Sequence, residues 1–392
     1  MTDKEVSMST TQSAPTHPTV APLQPPTRYL FGPGPTMVDP RVYQAISKPI
    51  VGHLDPYFIQ VMQDVQELLK PVYGAENGST LVISGTGSAG MEAAIANFVD
   101  PGSKFAVFAN GYFSDRLTEM AKRNGAIVVR SEKAWGETFT DAEAAEFIHR
   151  EKPNVVGYVH AETSTGALQP GHAICAAAHE AGALVIGDCV TSLGGLPVEF
   201  DKTGIDIAYS CSQKGLSCPP GLSPFALSQR AIDWLNQRTT PSRSWYLDLK
   251  LIHDYSTVSH RYHHTAPISM FYALREALLV IAEEGIENRW ERHRRINKLF
   301  AQQIEGMGLG FHVPAAHRIP TLNTVLVPKG VDDTKVRKRL LQGPGIEIAG
   351  GFGPLAGKIF RIGLMGPLAT EEKVNFFLDE FKRALSAEGY SF

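Results

Sequence analysis

Two residues of this chain have the type and setting for amine chemistry. Lys214 lies in Tyr209-Ser-Cys-Ser-Gln-Lys-Gly215, just past an apolar run, and Asp188 closes another apolar run 26 residues earlier. A lysine in a partly desolvated pocket loses its proton readily, and the free amine condenses with an aldehyde to a Schiff base. A carboxylate facing it can hold the protonated nitrogen of a pyridine ring, so the pair reads as pyridoxal phosphate chemistry. Each residue also has a plainer role open to it, Asp188 as a helix cap and Lys214 as a solvated charge. The Pro, Gly and small residues around Lys214 argue against the second.

A phosphate needs its own seat. Gly85-Thr-Gly-Ser-Ala-Gly90 follows an apolar run and precedes a helical pattern from Met91-Glu92, which matches the dinucleotide-binding spacing. The next apolar run, Phe105–Ala109, ends in Asn110 and Gly111 with no acid to hold a ribose hydroxyl, and an NAD-dependent dehydrogenase would leave Lys214 and Asp188 without roles. Both readings share a helix N-terminus at which Thr86, Gly87 and Ser88 could cradle a phosphate; for the loop alone, a cap without ligand stays open. Gly32-Pro-Gly34-Pro35 is either a close backbone approach to a ligand or a rigid turn. Arg361, flanked by Ile359-Phe360 and Ile362, reads as a cation on a buried strand that would welcome a bidentate carboxylate. Adjacent His263 and His264 would point to opposite faces of an extended strand, and no metal site is expected.

The elements that must position these groups follow from hydrophobic patterning. Seven apolar runs, Thr80–Ile83, Phe105–Ala109, Ile127–Arg130, Val155–His160, Leu184–Asp188, Ile205–Ser210 and Pro224–Leu227, alternate with helical patterns. That alternation predicts an α/β fold with a largely parallel sheet covered on both faces, whose ligands sit beyond the carboxyl ends of the strands. After residue 283 come a charged helix through Glu287–Arg295, read as a solvated face, strands near Asn323–Val327 and Ile359–Ile362, and a last helix near Glu371–Leu385. The expected organisation is a flexible tail over 1–27, a large domain over 28–282 and a smaller α+β domain over 283–392.

Composition limits the partners. A net charge of −3 and the lack of a basic run give no field for nucleic acid, and no run is long enough to cross a bilayer, so the expected partner is a small molecule. Four cysteines at 175, 189, 211 and 218 have neither zinc-site nor disulfide-framework spacing, and no signal core is seen. A cytoplasmic location is expected, with the sequon at Asn77 an unglycosylated turn.

Several longer motifs carry a family resemblance: Val82-Ile-Ser-Gly-Thr-Gly87, Glu162-Thr-Ser-Thr-Gly166, Asp188-Cys-Val-Thr-Ser-Leu-Gly-Gly195, Ser212-Gln-Lys214 with Pro219-Pro-Gly221, Arg261-Tyr-His-His-Thr265 and Gly350-Gly-Phe-Gly-Pro354. From Phe31 to Leu364 the chain resembles the class V aminotransferases of fold type I, in particular the alanine-glyoxylate and serine-pyruvate group. The resemblance implies a pyridoxal 5'-phosphate enzyme in which Lys214 carries the cofactor, Asp188 pairs with its ring nitrogen and Thr163 bonds the ring-hydroxyl side. It further implies phosphate binding by Gly87, Ser88 and Gln213, with Tyr262 and Thr265 arriving from the partner subunit of a homodimer, and a substrate site at Arg361, Gly34 and Thr163. Where the group commonly stacks a tryptophan on the cofactor ring, this chain has Phe113.

The implied reaction moves an amino group from alanine or serine to glyoxylate or pyruvate. With Arg361 the only evident clamp and no second cation, small monocarboxylate donors are favoured, and ureidoglycine, 3-hydroxykynurenine or aminoethylphosphonate are the alternatives within the family. A cysteine desulfurase is disfavoured because Gln213, not His, precedes the lysine. A non-catalytic scaffold would have shed Lys214, Asp188 or the glycine loop, and all are present.

Overall fold

Seven strands form one sheet: β1 (Ser79–Ser84), β2 (Lys104–Ala109), β3 (Ile127–Glu132), β4 (Val155–Val159), β5 (Leu184–Asp188), β6 (Ile207–Tyr209) and β7 (Leu222–Leu227). The structure is a computed structural model and describes residues 20–392, apart from the side chain of Val258. Of the tail expected over 1–27, residues 1–19 lie outside the described residues, and 20–27 are exposed and without regular structure.

The seven apolar runs of the sequence are these seven strands, in spatial order β1-β7-β6-β5-β4-β2-β3. All neighbours are parallel except β7, which runs against both β1 and β6. Two antiparallel steps restore direction, so β1 points the same way as β6, and the carboxyl ends of β1, β2, β4, β5 and β6 share one edge of the sheet. Every residue of β4 and β5 is buried, as helices on both faces require. In β2, Phe105, Val107 and Ala109 pack into one core layer and Ala106 and Phe108 into the other, the period-two signature of a two-sided strand.

Two helices follow from this edge, α1 (Gly87–Phe98) after β1 and α2 (Tyr112–Arg123) after β2. Helices α3 (Ile268–Glu284) and α4 (Ile286–Gly306) then meet at Gly285 and lead to an antiparallel sheet of β8 (Leu322–Leu326), β9 (Ala349–Gly350) and β10 (Ile359–Gly363), with β10 in the middle. This sheet has its own hydrophobic cluster, and Phe31 belongs to it, its ring centroid 4.9 Å from that of Phe377. Tyr29–Leu30 pairs in parallel with Ile346–Glu347. The segment that opens the large domain in the sequence reading is thus held by the C-terminal elements.

The charged helix α4 exposes Glu291, Arg294 and Arg295, as the solvated face read from its sequence requires, but buries charged and polar groups on its other side. Arg289 is 3% exposed and His293 wholly buried. Arg289 donates to the carbonyls of Gly194 and Gly215 at 2.9 and 2.8 Å and pairs with Glu284 at 3.0 Å, so this helix grips the two loops that leave β5 and β6. His293 Nδ1 donates to the Arg289 carbonyl at 2.7 Å while Nε2 accepts from Gly366 N–H at 3.0 Å, and burial lowers its pKa to about 3, consistent with a neutral ring. Among the described residues no helix is long and apolar enough to cross a membrane.

Replacing Arg289 with Met strips two buried carbonyls of their donor and leaves Glu284 without one of its two arginine partners. The expected loss is about 2–4 kcal/mol of unfolding free energy, read from urea midpoints; a shift below about 0.5 kcal/mol contradicts the clamp.

Candidate active site

Asp188 ends β5 and Tyr209 ends β6, and the two are register partners in the parallel pair. The Tyr209 hydroxyl donates to Asp188 Oδ2 and the Val190 N–H to Oδ1, each at 2.9 Å. Asp188 is 2% exposed, and burial raises its pKa to about 6 against the lowering effect of these two donors, Lys214 and Arg116. It remains mostly ionised at neutral pH. Five residues past β6, Lys214 lines the same cavity of about 260 Å³. Burial also pushes the Lys214 ammonium below the ordinary lysine range; Cys211, Asp188 and Glu162 oppose that shift and Arg361 assists it.

The cavity further takes in Gly34, Thr86, Gly87, Ser88, Phe113, Arg116 and Gln213. Thr86 is the N-cap of α1 but its side chain makes no cap hydrogen bond, so the first N–H groups of that helix, at Gly87 and Ser88, face outward unclaimed. Gln213 carries a buried amide oxygen without a partner. A Cβ on Gly87 would stand 3.1 Å from both Cys211 Cβ and Val190 Cγ2, so any larger residue would have to push these neighbours aside for the helix to start this close to the strand ends.

The turn Gly32–Pro35 makes its close approach to Lys214. Lys214 Nζ donates to the Pro33 carbonyl, and a Cβ on Gly34, whose φ is +112°, would lie 2.6 Å from Lys214 Cδ. The turn is pinned behind by Gly363 N–H on the Phe31 carbonyl at 2.7 Å, which ties β10 to the cavity wall.

Arg361 sits on β10, 4% exposed, donating to the Gly350 carbonyl at 2.7 Å and to the Thr163 carbonyl at 3.4 Å, with its guanidinium 3.9 Å from the Phe352 ring centroid. Among the described residues it forms no ion pair with a carboxylate, and burial lowers its pKa to about 10. A desolvated guanidinium without a counter-ion is a receptor for one. Thr163, next to it, is 2% exposed.

Two expectations about position need comment. Tyr262 and Thr265 are exposed and line no part of their own chain's cavity; Tyr262 rests on His53, ring centroids 4.9 Å apart. His263 and His264 do not point to opposite faces. Their segment is not a strand, and their Nδ1 atoms lie 2.8 Å apart, with His263 Nε2 on the Trp245 carbonyl and His264 Nε2 on Ser84 Oγ.

Two functional groups escaped the sequence reading. Arg116 lines the cavity and donates to Ser88 Oγ at 2.9 Å, so a second cation is present where none was expected. Its signal, a residue three places after Phe113 on one helix, has meaning only once that helix is known to abut the cavity. Glu162 opens the Glu162–Gly166 motif and is wholly buried. Its Oε2 accepts from the N–H groups of Phe113 and Ser114 at 3.1 and 3.3 Å, and its Oε1 from Ser164 N and Oγ at 3.1 and 2.6 Å. It therefore caps α2 and sets where Phe113 stands. Burial outweighs those donors and, with Asp188 nearby, raises its pKa to about 7.

Comparison with known proteins identifies the family. The family model for class-V aminotransferases matches residues 28–366. An alanine–glyoxylate aminotransferase of Callithrix jacchus is 38% identical over 95% of this chain and 91% of its own, and an (S)-ureidoglycine–glyoxylate transaminase of Bacillus subtilis (strain 168) is 38% identical over 90% of this chain and 89% of its own. The crystal structure of an alanine–glyoxylate aminotransferase from Nostoc sp. superposes with a TM-score of 0.92 at 46% identity, covering 94% of this chain and 97% of that one.

A carboxyl whose folded pKa is raised contributes stability below its unfolded value and loses it as pH climbs to the folded one. Glu162 therefore makes the cofactor-free protein less stable between pH 4.5 and about 7, and Glu162→Gln flattens that part of the stability profile in urea titrations. An unchanged slope assigns the pH dependence elsewhere.

Proposed function

The chain belongs to the class-V aminotransferase family, and from that membership we propose that it moves the amino group of a small amino acid, alanine or serine, to glyoxylate or pyruvate with pyridoxal 5'-phosphate as cofactor. The observation that carries this reading is the meeting of Lys214 and Asp188 on one cavity that also holds an uncapped helix N-terminus. Unclaimed N–H groups at Gly87 and Ser88, the partnerless Gln213 amide and a buried carboxylate beside a depressed lysine fit a phosphorylated pyridine aldehyde.

When bound, pyridoxal phosphate supplies a protonated pyridine ring that takes up the electron pair left by a departing α-proton. In this reading Asp188, ionised and fixed by Tyr209 and Val190, holds the ring nitrogen in its protonated form. Thr86, Gly87, Ser88 and Gln213 hold the phosphate and Phe113 stacks on the ring, while Thr163, buried beside Arg361, takes the ring-hydroxyl side by the family resemblance. Arg361, with the Thr163 carbonyl next to it, receives the substrate carboxylate, and Gly34 flanks the substrate from the Lys214 side. Lys214 Nζ, whose hold on its proton burial weakens, accepts the proton of the substrate α-carbon and returns one to complete the exchange.

Glyoxylate appears in the names of both the alanine and the ureidoglycine relatives, which supports it as acceptor more strongly than either supports a donor. The near-equal identity to the two favours ureidoglycine as the second donor reading. Exposed Tyr262 and Thr265 support a homodimer in which the partner subunit receives them. Four buried free cysteines support a reducing, cytoplasmic setting.

Lys214→Ala is expected to abolish transamination while leaving the far-UV circular dichroism unchanged. Among alanine, serine, ureidoglycine and the dicarboxylate aspartate tested against glyoxylate and pyruvate, the highest kcat/KM should fall on alanine or serine with glyoxylate. Residual turnover in Lys214→Ala, or preference for a dicarboxylate donor, contradicts the assignment.

A further inference from the structure

We propose that Arg116 is the cation that neutralises the phosphate bound in this cavity. This rests on the reading that the cavity takes pyridoxal phosphate. The groups so far assigned to the phosphate, Thr86, Gly87, Ser88 and Gln213, are all neutral, as are Tyr262 and Thr265. A phosphate monoester carries about −1.5 to −2 charges at neutral pH, and a helix N-terminus returns only about half a positive charge. The rest must come from a cation.

Arg116 is placed to supply it. Its guanidinium donates to Ser88 Oγ at 2.9 Å, which sets it at the first turn of α1, and it lines the cavity with Thr86, Gly87 and Gln213. Its charge is not consumed within the protein: among the described residues it pairs with no carboxylate, whereas Arg123 on the same helix pairs with Glu119 at 2.8 Å. The guanidinium also rests near two neighbouring rings, 4.8 Å from the Phe113 centroid and 5.3 Å from that of Tyr112, contacts that restrict the side chain before any ligand binds. With one N–H on Ser88, the fork keeps others for phosphate oxygens. Arg361, the other cation, sits apart from this helix end, on the Gly350 and Thr163 carbonyls, which leaves the substrate carboxylate to Arg361 and the phosphate to Arg116.

The test compares pyridoxal 5'-phosphate with pyridoxal, which has the same aldehyde and ring but no phosphate, by absorbance titration of cofactor-free wild type, Arg116→Gln and Arg116→Lys. Arg116→Gln should weaken pyridoxal phosphate about ten- to a hundredfold and leave pyridoxal unchanged, with Arg116→Lys between the two. Melting temperatures of the cofactor-free variants, unchanged from wild type, accompany that result. Equal weakening of both ligands, or no weakening of either, overturns the proposal. Wild type that binds neither ligand overturns the cofactor reading itself, a result distinct from failure of Arg116 alone.

Discussion

The parallel pairing of β5 with β6 is the constraint on which the cavity depends. It sets Asp188 beside Tyr209, lets the tyrosine hydroxyl donate to the carboxylate, and starts the segment that ends at Lys214 from the next strand along. A one-residue slip would reverse the side chains of β6 and take Tyr209 off Asp188. Burial of every residue in β5 and β6 makes such a slip costly, because it would turn apolar side chains away from their core layers. Arg289 then grips the loops beyond both strands, so the pairing is held at its end as well as along its length.

Electrostatics follow from that geometry. Lys214 and Arg116 share the cavity with Asp188, and Arg361 and Glu162 act on it through their charges, with no direct ion pair among the five in the described residues. Burial weakens Lys214 as a cation and raises the pKa of the Glu162 carboxyl to about 7. The two arginines are the firmest positive charges of the site, since burial weakens that of Lys214. Such a site is poised for two anionic groups, one at the N-terminus of α1 and one beside β10. Phosphate and substrate carboxylate are the pair that the family's chemistry brings.

Much of this was legible in the chain because its signals are local. Each central strand is an apolar run bounded by turn residues, and the edge where strands end is where Asp188, Lys214 and the glycine loop had to meet. What escaped depends on contacts distant in sequence. Arg116 and Glu162 look like ordinary surface charges until α2 is seen to start against the cavity with Glu162 as its cap. Arg289 and His293 lie in a charged helix whose pattern reads as solvated, yet their polar atoms meet buried carbonyls and an N–H group from other loops. The pairing of Tyr29–Leu30 with Ile346–Glu347 joins segments over 300 residues apart, beyond any local pattern. The His263 and His264 geometry failed for a simpler reason: the alternation rule was applied to a segment that is not a strand.

The central claim is that the side-chain nitrogen of Lys214 is the amine that binds the cofactor aldehyde. Borohydride reduction of the protein with pyridoxal phosphate, followed by proteolysis and peptide mass mapping, tests it directly. The account predicts one phosphopyridoxyl group per chain, on the peptide containing Lys214. Modification spread over surface lysines, or concentrated at another single lysine, would contradict it.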